Sequence, residues 1–349
     1  MKHKGKVFMA IALSMLVIAG CSGKGGNDTA ASQVDSAKSV GAAQSTESVA
    51  KPDKLKIQTS FYPMYEFTRQ VAGNLADVEL LIPGGVEPHD WEPTPQDIQK
   101  IEESDVLVYN GAGMEGWVDQ VKSAIDSSKL VIVEASYGLD LIEGMEEDHD
   151  HVTGDHSHEG DHHHEDDHEH AHDHGGLDPH VWLAPSFAAR EVRNIESALV
   201  KAAPDHKDEF KKNADAYISK LNQLDQEFKQ VLEKAKRKDF ITQHAAFGYL
   251  AKQYGLTQVP IAGLSPDQEP SAEQMTEIIK FAKEHKVKTI FFETLVSSKV
   301  ADAIASEIGA KTAVLNPIEG LTEEDSANKR DYLALMRMNL DALKAALNE

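Results

Sequence analysis

Cysteine occurs once in this sequence, at Cys21, so neither a disulfide framework nor a thiolate metal cluster is available to the chain. Positive charge is also scarce. Against 58 Asp and Glu there are 35 Lys and Arg, a net charge of −23, which argues against nucleic acid or anionic lipid as a partner of the folded body. The phosphate-binding pattern G-x-x-x-x-G-K-[ST] is missing, so the chain carries no ATP-hydrolysing machinery of its own. Long apolar runs are missing as well. The single candidate, Val7 to Ala19, is shorter than the roughly 20 residues that span a bilayer.

That run is informative in another way. It follows Lys2, Lys4 and Lys6 and ends in Ile18-Ala19-Gly20-Cys21, a pattern that resembles the lipobox of bacterial lipoproteins. The resemblance implies a leader over residues 1–20, cleavage before Cys21, and acyl chains on that cysteine, enough together for stable anchoring. Removing Lys2, Lys4 and Lys6 with the leader takes the net charge from −23 to −26. Residues 21–53 are rich in Gly, Ser, Ala, Thr and Gln, too poor in large apolar side chains to fold, and read as a flexible tether.

From residue 54 onward, short apolar runs alternate with helical patterns. Strands are predicted at Leu55–Ser60, Val78–Ile82, Val106–Tyr109 and Leu130–Val133, then at Phe240–Thr242, Thr257–Pro260, Thr289–Glu293 and Thr312–Leu315. Helical segments between them predict an α/β fold of two lobes, each a mostly parallel sheet flanked by helices. Thr94-Pro95 reads as an N-cap followed by proline at the first helical position, and Ser271 to Gln274 as a capping box. Between the lobes, Phe210, Ala214, Tyr217, Leu221, Leu224, Phe228, Val231 and Ala235 recur at steps of three and four. This stripe predicts one helix of roughly thirty residues, about 45 Å long, stiff enough to tie the lobes together. The expected organisation is a first lobe over 54–185, a helical linker over 186–237 and a second lobe over 238–349.

Histidine is abundant and unevenly placed. Eleven fall between Glu146 and His174: His149, His151, His156, His158, His162, His163, His164, His168, His170, His172 and His174, among twelve Asp and Glu and no Lys or Arg. His164-Glu165-Asp166-Asp167-His168 matches H-E-x-x-H, the zinc-protease pattern, whose chemistry requires a helix with an apolar face. From Glu146 to Gly175 the apolar residues are Val152 and Ala171, so the match is an accident of composition in a loop spanning 146–176. His206 and His285 sit among charged helical residues and read as solvated. His89, His180 and His244 differ, because each lies in a loop or just beyond a strand, where open α/β sheets place ligand sites. Contributed by both lobes, they could converge on one metal ion in the interlobe cleft.

The motifs "PHDWEPTP", "NGAGMEGWV", "DPHVWLAP", "HAAFGYLAKQYGL" and "NPIEGL" together resemble the solute-binding lipoproteins of zinc-importing ABC transporters. That group belongs to a metal-binding cluster which also contains manganese-binding proteins. The resemblance covers about Lys54 to Glu349. It implies two lobes joined by a rigid helix with one metal between them, and His89, His180 and His244 as imidazole ligands. For the fourth position, Glu319 matches the family's pattern better than Glu293. Glu293 is better placed to hold an imidazole N–H, and water is a third candidate. Manganese-binding relatives typically offer two histidines and two carboxylates, so a set containing His244 is richer in nitrogen and favours Zn²⁺, with Cu²⁺ and Ni²⁺ not excluded by affinity order.

The implied function is that of a binding protein, not an enzyme. It would capture Zn²⁺ outside the cytoplasm and deliver it to an ABC permease driven by a cytoplasmic ATPase, as a monomer lipid-anchored at the outer face of a Gram-positive-type membrane. The histidine-rich loop would collect Zn²⁺ weakly and raise its concentration near the tight site. An importer protein for manganese or another divalent metal is the alternative; a secreted zinc hydrolase and a surface adhesin rank lower.

Overall fold

The computed structural model of the chain describes residues 54–144, 176–266 and 268–349. Cys21, the leader, the tether and the eleven histidines from His149 to His174, with the H-E-x-x-H string, lie outside the described residues.

The first sheet is built from β1 (Leu55–Thr59), α1 (Tyr62–Ala72), β2 (Ala76–Leu80), α2 (Pro95–Glu102), β3 (Val106–Tyr109), α3 (Val118–Ala124) and β4 (Val131–Glu134). After a 3₁₀ turn at Val181–Leu183 come α4 (Pro185–Ala202), a second 3₁₀ turn at Pro204–His206, and α5 (Lys207–Leu232). The second sheet follows, with β5 (Asp239–Thr242), α6 (Gly248–Tyr254), β6 (Thr257–Pro260), α7 (Ala272–Glu284), β7 (Thr289–Phe292), α8 (Lys299–Ile308), β8 (Lys311–Val314), α9 (Glu323–Ala327) and α10 (Tyr332–Ala346). Among the described residues no helix is long and apolar enough to cross a membrane.

Both sheets are four-stranded and wholly parallel, in the orders β2-β1-β3-β4 and β6-β5-β7-β8. A central parallel strand is covered on both faces and reads as a continuous apolar run: all four residues of β3, Val-Leu-Val-Tyr, are buried. In each sheet the strand order reverses direction at the middle pair, β1/β3 and β5/β7. The crevice outside the carboxyl ends of such a pair is where an α/β sheet can receive a ligand.

All eight predicted strands are present, with ends displaced by two residues or fewer. The largest displacement is at β2, predicted from Val78 and found from Ala76, because Leu55 and Lys56 pair with Ala76 and Asp77. Leu81 and Ile82 continue the ladder, donating to the carbonyls of Thr59 and Ser60. The predicted caps are also present: Thr94 accepts from the Asp97 N–H and Ser271 from the Gln274 N–H, each with the reciprocal bond of a capping box.

The central helix α5 has 26 residues, about 39 Å, shorter than the stripe implied. It ends at Leu232, and Leu232, four positions after Phe228, is buried where Val231 and Ala235 were expected. Its apolar face packs on both halves of the molecule. Phe67 of α1 lies 6.1 Å from Tyr217 near the middle of α5, and Tyr254 of α6 stacks at 5.2 Å on Phe228 near its carboxyl end. One continuous buried cluster therefore includes α1, α4, α5, α6 and α10 together with the strands Ile57 and Phe240 belong to.

Phe228 is fully buried at this junction. Phe228→Ala is expected to cost about 3–5 kcal/mol of unfolding free energy, the range for deleting a buried aromatic ring. Urea unfolding followed by circular dichroism measures it; a loss under 1 kcal/mol would contradict the packing described.

Candidate metal centre

His180 follows Asp178-Pro179 and opens the 3₁₀ turn before α4. Asp178 Oδ1 accepts two hydrogen bonds from it, one from the backbone N–H at 2.9 Å and one from ring Nδ1 at 2.8 Å. The same carboxylate oxygen thus fixes main chain and imidazole together. His244 lies two residues past β5, and Glu293, the first residue past β7, repeats the device. Glu293 Oε1 accepts from the His244 backbone N–H at 3.1 Å and from its Nδ1 at 2.6 Å. This pair occupies the β5/β7 reversal point. His89 sits in the irregular connection between β2 and α2, its backbone N–H donated to the Glu87 carboxylate at 3.1 Å. His180 and His244 are fully buried, while the His89 side chain is 10% exposed.

Glu319 comes from the turn after β8, and its geometry depends on the residue before it. Ile318 is fully buried with φ +60°. A left-handed conformation is an outlier for a β-branched residue and costs about 1–2 kcal/mol. Buried polar contacts hold the turn there: the Ile318 N–H donates to Asn316 Oδ1 at 2.7 Å, and Asn339 of α10 accepts from the Asn316 N–H at 2.8 Å and donates to its carbonyl at 2.6 Å.

These four segments bring His89, His180, His244 and Glu319 together, each offering one ligand atom, all within 4.8 Å of one another. Nε2 of His180 lies 3.3 Å from Nε2 of His89 and 3.2 Å from Nε2 of His244. Glu319 Oε1 is 3.5 Å from Nε2 of His89, 3.5 Å from that of His180 and 3.6 Å from that of His244. A tetrahedral ion with bonds of about 2.0–2.1 Å requires ligand–ligand edges of about 3.3–3.4 Å. Five of the six edges, at 3.2–3.6 Å, are close to that requirement, and the sixth, between His89 and His244, lies within 4.8 Å.

The hydrogen bonds also set the chemistry. With Nδ1–H donated to carboxylates, Nε2 of His180 and of His244 each carries a lone pair toward the centre. Glu319 Oε1 is buried and accepts no hydrogen bond. Lone pairs and a carboxylate oxygen facing one another without a donor call for a positive charge between them. In the protein alone, protons meet part of that demand. Burial pushes the His244 imidazole down, but Glu293 and Glu319 more than offset it and its pKa is raised to about 10. Burial likewise acts downward on His180, and Asp178 and Glu319 reverse it, so its pKa is raised. For His89 burial prevails and the pKa is lowered. Burial pushes the Glu319 carboxyl up, yet the three imidazoles hold it well below the usual carboxylate range.

Glu293, the rival for the fourth corner, is behind the His244 ring instead. His206 and His285 are remote from the cluster, packed on Phe210 and Phe281 of their own helices. Three contributors were not singled out from sequence. Asp178, two residues before His180 in "DPH", had a local signal, since an acid at that spacing can accept from the following backbone N–H. Asn316 and Asn339 had none, being 23 residues apart.

Comparison with known proteins gives consistent matches. The family described as zinc-uptake complex component A (ZnuA), periplasmic, matches residues 57–346. The high-affinity zinc uptake system protein ZnuA of Bacillus subtilis is 49% identical over 347 residues, 99% of either chain. The zinc-binding lipoprotein AdcA of Streptococcus pneumoniae is 46% identical over 299 residues; the match covers 85% of this chain and 56% of that longer relative. The crystal structure of the Zn(II)-bound ZnuA-like domain of that AdcA aligns with a TM-score of 0.69 at 42% identity, over 85% of this chain and 100% of that domain.

Asp178→Asn and Glu293→Gln are each expected to weaken divalent-metal affinity roughly 10–100-fold while the chain stays folded, as loss of a carboxylate behind a ligating imidazole does elsewhere. Competition against a chromophoric chelator measures it. Wild-type affinity in both variants would contradict the orienting role.

Proposed function

The chain belongs to the ZnuA family of zinc-uptake components, and from that premise we propose that it captures Zn²⁺ outside the cytoplasm and hands it to an ABC permease powered by a cytoplasmic ATPase. The single observation that carries this reading is the near-tetrahedral set of three Nε2 atoms and one carboxylate oxygen from four separate segments. His89, His180, His244 and Glu319 are the proposed ligands, and Asp178 and Glu293 orient two of the rings.

The donor chemistry supports zinc over manganese. Imidazole nitrogen suits Zn²⁺, whereas Mn²⁺ prefers oxygen-rich octahedral sites. It also supports binding over hydrolysis, since four protein ligands leave a tetrahedral ion no corner for an activated water. The names of relatives, a zinc uptake protein and a zinc-binding lipoprotein, point the same way. The Ile18-Ala19-Gly20-Cys21 pattern supports acylation of Cys21 and a location on the outer face of a Gram-positive-type cytoplasmic membrane. The histidines between His149 and His174 are proposed to gather Zn²⁺ loosely ahead of the tight site; their interleaving with nine carboxylates supports that role.

A pH dependence follows. His180 and His244 hold protons above the usual imidazole range in the metal-free chain, so Zn²⁺ must displace them. Affinity is therefore expected to fall as pH falls, by roughly tenfold per pH unit for each proton displaced. Calorimetric titration at pH 7 in buffers of different ionisation enthalpy should register release of at least one proton per Zn²⁺, with one tight site per chain and Zn²⁺ displacing Mn²⁺. Binding without proton release, or preferred Mn²⁺ binding, would contradict the proposal.

A further inference from the structure

Glu319 differs from the imidazoles in how it is held. Asp178 and Glu293 brace His180 and His244 from behind, whereas Glu319 Oε1 is buried and accepts no hydrogen bond. What fixes its position is main chain. The left-handed Ile318 turn, closed by Asn316 and Asn339, aims the residue at the three Nε2 atoms. One further contact ties this turn to the other side of the centre: the indole Nε1–H of Trp182 donates to the Pro317 carbonyl at 2.8 Å. Trp182 stands two residues after His180, and Pro317 two before Glu319. The Trp182 carbonyl in turn accepts from the hydroxyl of Tyr332, the first residue of α10, at 2.5 Å. Trp182, Ile318 and Tyr332 are fully buried, and Asn316 and Asn339 nearly so. The segments bearing two ligands are thus strapped together by a buried bond that does not touch the ion.

We propose that the Trp182–Pro317 strap, acting with the left-handed Ile318 turn, determines metal specificity by holding Glu319 as a one-oxygen ligand at fixed distance from the three imidazoles. This deepens the zinc reading and rests on it. An ion that demands more oxygen, such as Mn²⁺, would require Glu319 to swing and offer both oxygens or to admit water. A turn locked by buried hydrogen bonds resists both movements, so the site gains discrimination from the rigidity of its support. The bland account of Trp182 is packing alone, since its ring meets Phe61 edge-on at 4.9 Å. The ring also lies 5.2 Å from the His180 imidazole, so a substitution that tests the strap must keep an aromatic ring and remove only the donor.

Trp182→Phe keeps an aromatic ring in place and removes the donor. In the full chain stripped of metal, Zn²⁺ affinity is expected to weaken roughly 10–100-fold, as for other supports of ligating groups, with Mn²⁺ affinity changed less than about threefold. The Zn²⁺/Mn²⁺ preference then falls, and the visible absorption of the Co²⁺-loaded variant loses its tetrahedral intensity. An unchanged preference and an unchanged Co²⁺ spectrum would overturn the proposal. If circular dichroism finds Trp182→Phe unfolded, Asn339→Leu supplies the test: it removes both bonds that hold the Asn316 backbone and so unlocks the turn with Trp182 intact. The same loss of preference is expected from it, and an unchanged ratio would again overturn the strap. A wild-type chain that failed to prefer Zn²⁺ would instead sink the zinc reading from which this inference starts.

Discussion

The described part of this molecule has one electrostatic problem to solve: keeping three imidazole nitrogens and a carboxylate oxygen within 4.8 Å of one another in a buried place. Left to themselves such groups repel or take up protons, because their lone pairs face each other and water is largely excluded. The chain solves this by spending a buried carboxylate behind each of two rings. Asp178 and Glu293 fix the tautomer, orient the lone pair and make the nitrogen a better donor to a cation. One small divalent ion at the centre would satisfy the arrangement.

The fold supplies the coordinates for that solution. Two sheets with the same strand order each present a reversal point at their carboxyl edge, and the second receives His244 and Glu293 there. His89 and His180 arrive on connections around the first sheet. Positions set on different lobes would be useless if the lobes drifted, and the continuous core along α5 opposes drift. Asp225 of α5 adds a polar tie, accepting from Gln253 and Tyr254 of α6, while Ser186 of α4 donates to Gln253. The strained Ile318 turn belongs to the same logic: a local cost of about 1–2 kcal/mol is tolerated because the surrounding packing over-determines it.

Much of this was legible in the sequence. The central strands β1, β3, β5 and β7 are mostly buried and leave short apolar runs, while the partly exposed β2, β6 and β8 were read from shorter ones; the capping boxes at Thr94 and Ser271 are local by nature. His89, His180 and His244 stood out because each lies past a strand or in a Pro- or Gly-rich connection. What could not be read depends on contacts distant in sequence. The pairing of Leu55 with Ala76 moved the start of β2, and α5 ends at Leu232, the residue of that turn buried in the core, while Val231 and Ala235 pack against it only partly buried. The Asn316–Asn339 bonds and the left-handed Ile318 run against local propensity, and only the tertiary fold reveals them. Asp178 is the instructive omission, a short-range contact in plain view beside a proline.

The most direct test of the central claim is X-ray absorption at the zinc edge on untagged, zinc-loaded protein, compared with its His244→Ala variant. The account predicts four ligands at about 2.0–2.1 Å, three of them imidazole nitrogens, and one imidazole fewer in the variant. A shell rich in oxygen, or a wild-type imidazole count that His244→Ala leaves unchanged, would contradict it.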